Sequence, residues 1–117
     1  MCGISGILAY SSKTHVTNDE LTRFNVAMQH RGPDGSGIWI SDNHKIGLAH
    51  RRLSIIDLTD GASQPMSDRQ KTVYVTYNGE IYNHITLRAE LEALGYVFQT
   101  NSSDTEVLVH GYTQWGI

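Results

Sequence analysis

Apolar and polar positions change their spacing several times along the chain, and each change marks an element. From Cys2 to Tyr10 glycines and apolar residues run together in the manner of a strand. Thr17-Asn18-Asp19-Glu20 then has the spacing of a capping box, with Thr17 as the cap and Glu20 reaching back to it. The helix it opens places Leu21, Phe24, Ala27 and Met28 on one face and is expected to stop near His30, ahead of the turn Gly32-Pro33-Asp34-Gly35. Gly37 to Ser41 and Lys45 to Ala49 read as a hairpin across Asp42-Asn43, and Thr72 to Tyr77, rich in Val, Thr and Tyr, reads as a further strand. Asn83 or His84 opens a second helix with a Leu87, Leu91, Leu94 stripe and Gly95 as its stop. A third runs from near Asp104 towards Trp115. Strands with helices grouped between them predict an α+β domain with an antiparallel sheet. The chain closes at Gly116-Ile117 straight after a helical pattern, which leads us to expect a truncated domain.

Composition narrows the function. A chain of 117 residues makes one domain, and a domain of this size buries roughly two thirds of its chain surface. Apolar residues at 39% and charged residues at 18% are ordinary for a globular protein. The net charge of −3, with no basic stripe, argues against nucleic acid as a partner. The apolar start lacks a basic segment before it and is too short to span a membrane, so a cytoplasmic location is expected. The six histidines, His15, His30, His44, His50, His84 and His110, show no paired ligand spacing, and no cysteine pair accompanies them, so no metal is expected.

The lone cysteine is the second residue. Methionine is normally removed when a small residue follows, and removal would leave Cys2 with both a thiol and a free α-amine. A thiol ordinarily titrates near ~8.5 and an α-amine near ~7.7–8.0, so the amine can take the thiol proton near neutral pH. That makes Cys2 a candidate N-terminal nucleophile needing no histidine. Gly3 and Gly6 allow close backbone approach beside it. The alternative is a buried cysteine opening a core strand.

Five segments occur in order: Met-Cys-Gly-Ile-Ser-Gly-Ile at the start, His-Arg-Gly-Pro-Asp-Gly at 30–35, Arg-Arg-Leu-Ser-Ile-Ile-Asp at 51–57, Tyr-Asn-Gly-Glu-Ile-Tyr-Asn at 77–83, and Ser-Asp-Thr-Glu-Val at 103–107. Together they resemble the class II glutamine amidotransferase domain of glutamine-hydrolysing asparagine synthetases, over nearly the whole chain. The first segment alone would fit any class II amidotransferase. The second and third resemble the asparagine synthetase branch, which includes β-lactam synthetase-like and sugar-modifying relatives with other nitrogen acceptors.

The resemblance implies an Ntn-hydrolase fold, a four-layer αββα sandwich, here as the N-terminal part of such a domain over 1–117. It implies that Cys2 attacks the side-chain amide of glutamine, giving a γ-glutamyl thioester and ammonia. The ammonia would pass to a C-terminal synthetase domain, the partner in the parent chain, where ATP and Mg²⁺ activate aspartate. No cofactor is implied for residues 1–117. An inactive binding fragment is the non-enzymatic alternative, and exposed sheet edge or apolar surface would favour partner pairing, a homodimer included.

The same resemblance supplies site residues. Arg52 matches the arginine that would hold the glutamine α-carboxylate, a job suited to a guanidinium fork. Asp104 matches the residue for the α-ammonium. Asn78 and Gly79 match the oxyanion donors. Glu80, with Leu53, Ser54, Ile55 and Ile56, would line the pocket, and residues 30–34 would shape a loop beside it. Each has a plainer alternative: a surface charge for Arg52, a helix N-cap for Asp104, a tight turn for Asn78-Gly79, and core-strand positions for the apolar residues. Thr100 stands one residue further from Ser103-Asp104 than the resemblance predicts.

Overall fold

The computed structural model describes residues 1–53 and 63–117, which form an α+β arrangement with two antiparallel sheets. Strands β1 (Gly3–Leu8), β2 (Gly35–Ile40) and β3 (Ile46–Arg52) form the first sheet in the order β1-β3-β2. Gly3 pairs with Arg51 and Leu8 with Ile46, while Gly35 pairs with Arg52 and Ile40 with Gly47. The expected hairpin is therefore present, lengthened at its open end to Gly35 and Arg52 and one residue shorter on each side of its turn.

Helix α1 (Asn18–Ala27) covers one face of this sheet. Thr17 caps it as the spacing predicted: its hydroxyl accepts the Glu20 N–H at 3.3 Å, and Glu20 Oε2 accepts the Thr17 N–H at 2.9 Å. Val16, Leu21 and Ala49 are fully buried between helix and sheet, with Ile7, Ala9, Ile38 and Ile40 packed around them. The predicted stripe is rotated. Phe24 is largely exposed, and the buried positions are Leu21 and Asn25, whose Nδ2 donates to the Gly37 carbonyl at 3.2 Å. The helix also ends at Ala27, short of His30, because the chain turns through Arg31 N–H to Met28 O at 2.9 Å.

The sheet's opposite face meets a two-stranded ribbon, β4 (Met66–Ser67) with β5 (Tyr74–Val75), through Trp39 stacked on Tyr74 at 3.9 Å between ring centroids. The strand expected over Thr72–Tyr77 shrinks to those two residues. The Asp68 carboxylate takes the N–H groups of Thr72 and Val73 at 2.6 and 3.0 Å, and Gln64 Oε1 takes that of Tyr77 at 2.5 Å. Side chains thus use the donors a longer ladder would need. Behind the ribbon lies α3 (Thr105–Trp115), and α2 (His84–Ala93) packs on α3. Gly95, at φ +97°, ends α2 as expected, with Gly95 N–H to Glu92 O and Tyr96 N–H to Leu91 O closing the last turn at 3.0 Å each. Of the leucine stripe, Leu91 is buried but Leu94 is exposed. No helix of the described residues is long and apolar enough to cross a membrane.

Candidate functional site

Cys2 lies just before β1 and, one step past the Gly3–Arg51 pair, alongside the end of β3. Its side chain is half-buried. The Leu53 N–H donates to Cys2 Sγ at 3.4 Å, while Sγ lies 3.8 Å from the Leu53 carbonyl. Both backbone groups of Leu53 therefore face the sulfur and fix where it sits. Arg31 Nε donates to the Cys2 carbonyl at 3.3 Å, holding the residue's backbone from the other side. Met1 is 75% exposed, so no packing shields the Met1–Cys2 bond from removal of the methionine.

The end of β3 is braced by the 30–35 turn. Gly32 packs flat on it: a Cβ there would fall 2.5 Å from Arg51 C and 2.6 Å from Arg52 N. Arg51 Nε donates to the Gly32 carbonyl at 2.8 Å, and the Asp34 N–H to the Arg52 carbonyl at 3.0 Å. The segment thereby clamps the chain at Arg51 and Arg52. Arg52 is half-buried rather than a freely solvated surface charge.

A second group gathers at the start of α3. Asp104 occupies the N-cap position, yet its side chain caps nothing in its own helix. Its Oδ2 accepts the Ile81 N–H at 2.8 Å instead, with Oδ1 3.4 Å from the Thr105 hydroxyl. The N-cap alternative thus holds for the position but not for the side chain: Asp104 itself is in helical geometry, at φ −72° and ψ −25°, makes no side-chain cap bond, and gives its carboxylate to the Ile81 N–H. Carboxylate capacity for further donors remains. Asn78, Gly79 and Glu80 are exposed. Asn78-Gly79 closes no hairpin, since the ribbon turn lies between Ser67 and Tyr74. The Gly79 position is filled from below by Tyr77, whose hydroxyl would lie 2.4 Å from an added Cβ. Partial burial, then the nearby Asp104 and Glu80 carboxylates, push the Tyr77 phenol above its ordinary range.

Two side chains tie these groups together, and sequence reasoning assigned neither to the site. His50, on β3 and 2% exposed, has its ring beside the Tyr77 backbone carbonyl. Burial holds its pKa below the ordinary 6.5, the Tyr77 carbonyl opposes this, and the Arg52 charge adds to it. Gln64 accepts from the Tyr77 N–H and donates from Nε2 to the Thr105 hydroxyl at 3.3 Å. A histidine two residues before the Arg-Leu segment, on the strand face opposite the core, was the available signal for His50. Gln64 carried none. The structure thus joins Cys2 to Leu53 and Asp104 to Ile81, and links β3 to the 77–81 segment through His50. Ser54, Ile55 and Ile56 lie outside the described residues. Among the described residues, no three His, Cys, Asp or Glu side chains converge as a metal site.

Residues 1–117 match the family described as glutamine amidotransferase domain. The chain is 44% identical over 117 residues to asparagine synthetase [glutamine-hydrolyzing] 1 of Bacillus subtilis, covering 98% of this chain and 18% of that protein. It is 45% identical over 116 residues to asparagine synthetase B [glutamine-hydrolyzing] of Escherichia coli, covering 99% and 20%. It is 39% identical over 126 residues to amidase chry2 of Gibberella zeae, covering 100% and 18%. The chain therefore spans about a fifth of the length of these relatives.

Proposed function

The chain belongs to the glutamine amidotransferase domain family, and on that premise we propose that it carries the glutaminase half of a glutamine-hydrolysing asparagine synthetase, with Cys2 as nucleophile. The observation that carries the proposal is the Leu53 N–H set 3.4 Å from the sulfur of a cysteine one exposed methionine away from the N-terminus.

With Met1 removed, the Cys2 amine takes the thiol proton and Sγ attacks the glutamine amide carbon. The Asn78 amide and Gly79 N–H receive the oxyanion, and removing one such donor typically costs roughly 2.7–4 kcal/mol of barrier. The protonated amine returns its proton to the departing nitrogen. Ammonia and a γ-glutamyl thioester result, and water then releases glutamate and restores the thiol. Arg52 takes the α-carboxylate and Asp104 the α-ammonium, while Leu53, Ser54, Ile55, Ile56 and Glu80 line the pocket. The ammonia goes to aspartate activated with ATP and Mg²⁺ in a synthetase domain of the parent chain, in the cytoplasm. ATP supplies the adenylate leaving group there, and residues 1–117 provide no part of that site.

The packing succession α1, three-stranded sheet, ribbon, α3 supports an Ntn-hydrolase αββα sandwich, of which these residues form the N-terminal part. Ile4, Leu8 and Ile46, exposed by 46, 67 and 42% on the sheet face opposite α1, support a larger domain whose further strands cover them.

The test is mass spectrometry of the full-length protein treated with diazo-oxo-norleucine. A chain lacking Met1 and carrying one adduct on Cys2 is expected, with none in Cys2→Ala. A processed, folded protein that stays unlabelled would sink the proposal.

A further inference from the structure

A buried carboxylate that the proposed chemistry does not use stands two residues after Asp104. Glu106 is 4% exposed, in the first turn of α3. A charge there is tolerated only if hydrogen-bonded. Its partners are not in its own helix's free end. Oε1 accepts the Gln99 N–H at 2.6 Å, and Oε2 accepts the Thr100 N–H at 2.8 Å and the Thr100 hydroxyl at 2.6 Å. The His110 ring, one turn on and edge-on to Phe98, lies 3.4 Å from Oε1. Thr100 is held from outside as well, its carbonyl accepting from Arg88 Nη1 at 2.7 Å, with the Arg88 guanidinium 4.4 Å over the Phe98 ring.

The consequence is geometric. Glu106 ties residues 99–100 back onto the helix start, so Asn101 to Asp104 becomes a short loop pinned at both ends. The residue additional to the resemblance falls in this loop, at the exposed Asn101-Ser102 bend, while Asp104 keeps its bond to the Ile81 N–H. We propose that Glu106 is a positioning residue for substrate recognition: by clamping Gln99 and Thr100 it sets where the Asp104 carboxylate meets the substrate's α-ammonium. This rests on the role given above to Asp104. Glu106 touches no substrate, so its loss acts on recognition of the ammonium and not on the acyl-transfer steps at Cys2.

Ammonia release by the full-length protein is measured with glutamine and with glutaramate, the same amide and carboxylate without the α-amine. Four forms are compared: wild type, Asp104→Asn, Glu106→Gln and Thr100→Val. Asp104→Asn should erase most of the preference for glutamine. Retained preference there overturns the reading of Asp104, and the proposal with it. Given that loss, Glu106→Gln should raise KM for glutamine about tenfold, as when a charge-assisted hydrogen bond is misaligned, with kcat nearly kept and glutaramate turnover unchanged. Thr100→Val, which deletes only the hydroxyl bond, should move the preference the same way by a smaller factor. Equal losses for both substrates, or an intact preference, in Glu106→Gln would overturn the proposal. Should that variant fail to fold, an intact preference in Thr100→Val overturns it.

Discussion

Replacing Gly32 with alanine should disable the site from a position that touches no substrate. The added Cβ would meet Arg51 C at 2.5 Å, Arg51 O at 2.6 Å and Arg52 N at 2.6 Å. All three are backbone atoms, so no rotamer change relieves the clash. Carbon contacts are comfortable from about 3.5 Å, so the 30–35 turn and the end of β3 must part by about 1 Å. That displacement falls on Arg52, and on Leu53 whose N–H reaches Cys2 Sγ at 3.4 Å. Overpacking of this kind costs about 1–3 kcal/mol of stability. A misplacement of about 1 Å in a catalytic array costs on the order of 10²-fold in rate, so kcat/KM for glutamine hydrolysis should fall by about that factor. Gly35→Ala is the control, because its Cβ would meet only the Arg52 Cβ at an ordinary 3.6 Å. Glutamate release and thermal unfolding, measured on both variants of the full-length protein, decide the matter. Wild-type kcat/KM and an unchanged midpoint in Gly32→Ala would refute the clamp.

His50 gives a pH prediction. Its folded-state pKa lies below the ordinary 6.5, so from 6.5 down to that lower value the unfolded chain binds more protons and stability falls with acidification, then levels off. His50→Asn offers an N–H to the Tyr77 carbonyl without titrating, so its urea midpoint should drop less between about pH 7 and about pH 5 than that of the wild type; equal drops would contradict the assignment. Thr17→Ala removes the α1 cap and should cost about 1 kcal/mol of stability while leaving glutamine KM unchanged, and an unaltered melting profile would show the cap to be dispensable.

Local chemistry made much of this protein legible from residues alone. Thr17 and Glu20 form a reciprocal cap within four residues, Gly95 stops α2 because it accepts a positive φ, and the Gly37–Ala49 hairpin follows from alternation across a polar turn. These depend on neighbours in sequence. The five motif segments likewise pointed to the family before any coordinate. What sequence could not supply was how distant donors and acceptors are shared. The strand expected to Tyr77 was cut short because Asp68 and Gln64 take its donors, and the α1 stripe turned because Asn25 found the Gly37 carbonyl. Asp104 left its own helix uncapped to hold Ile81, and Glu106 went unnoticed because its partners lie in the preceding loop. Each outcome is a competition among hydrogen-bonding groups for one partner in space, and only the packed chain decides which of them is close enough to win.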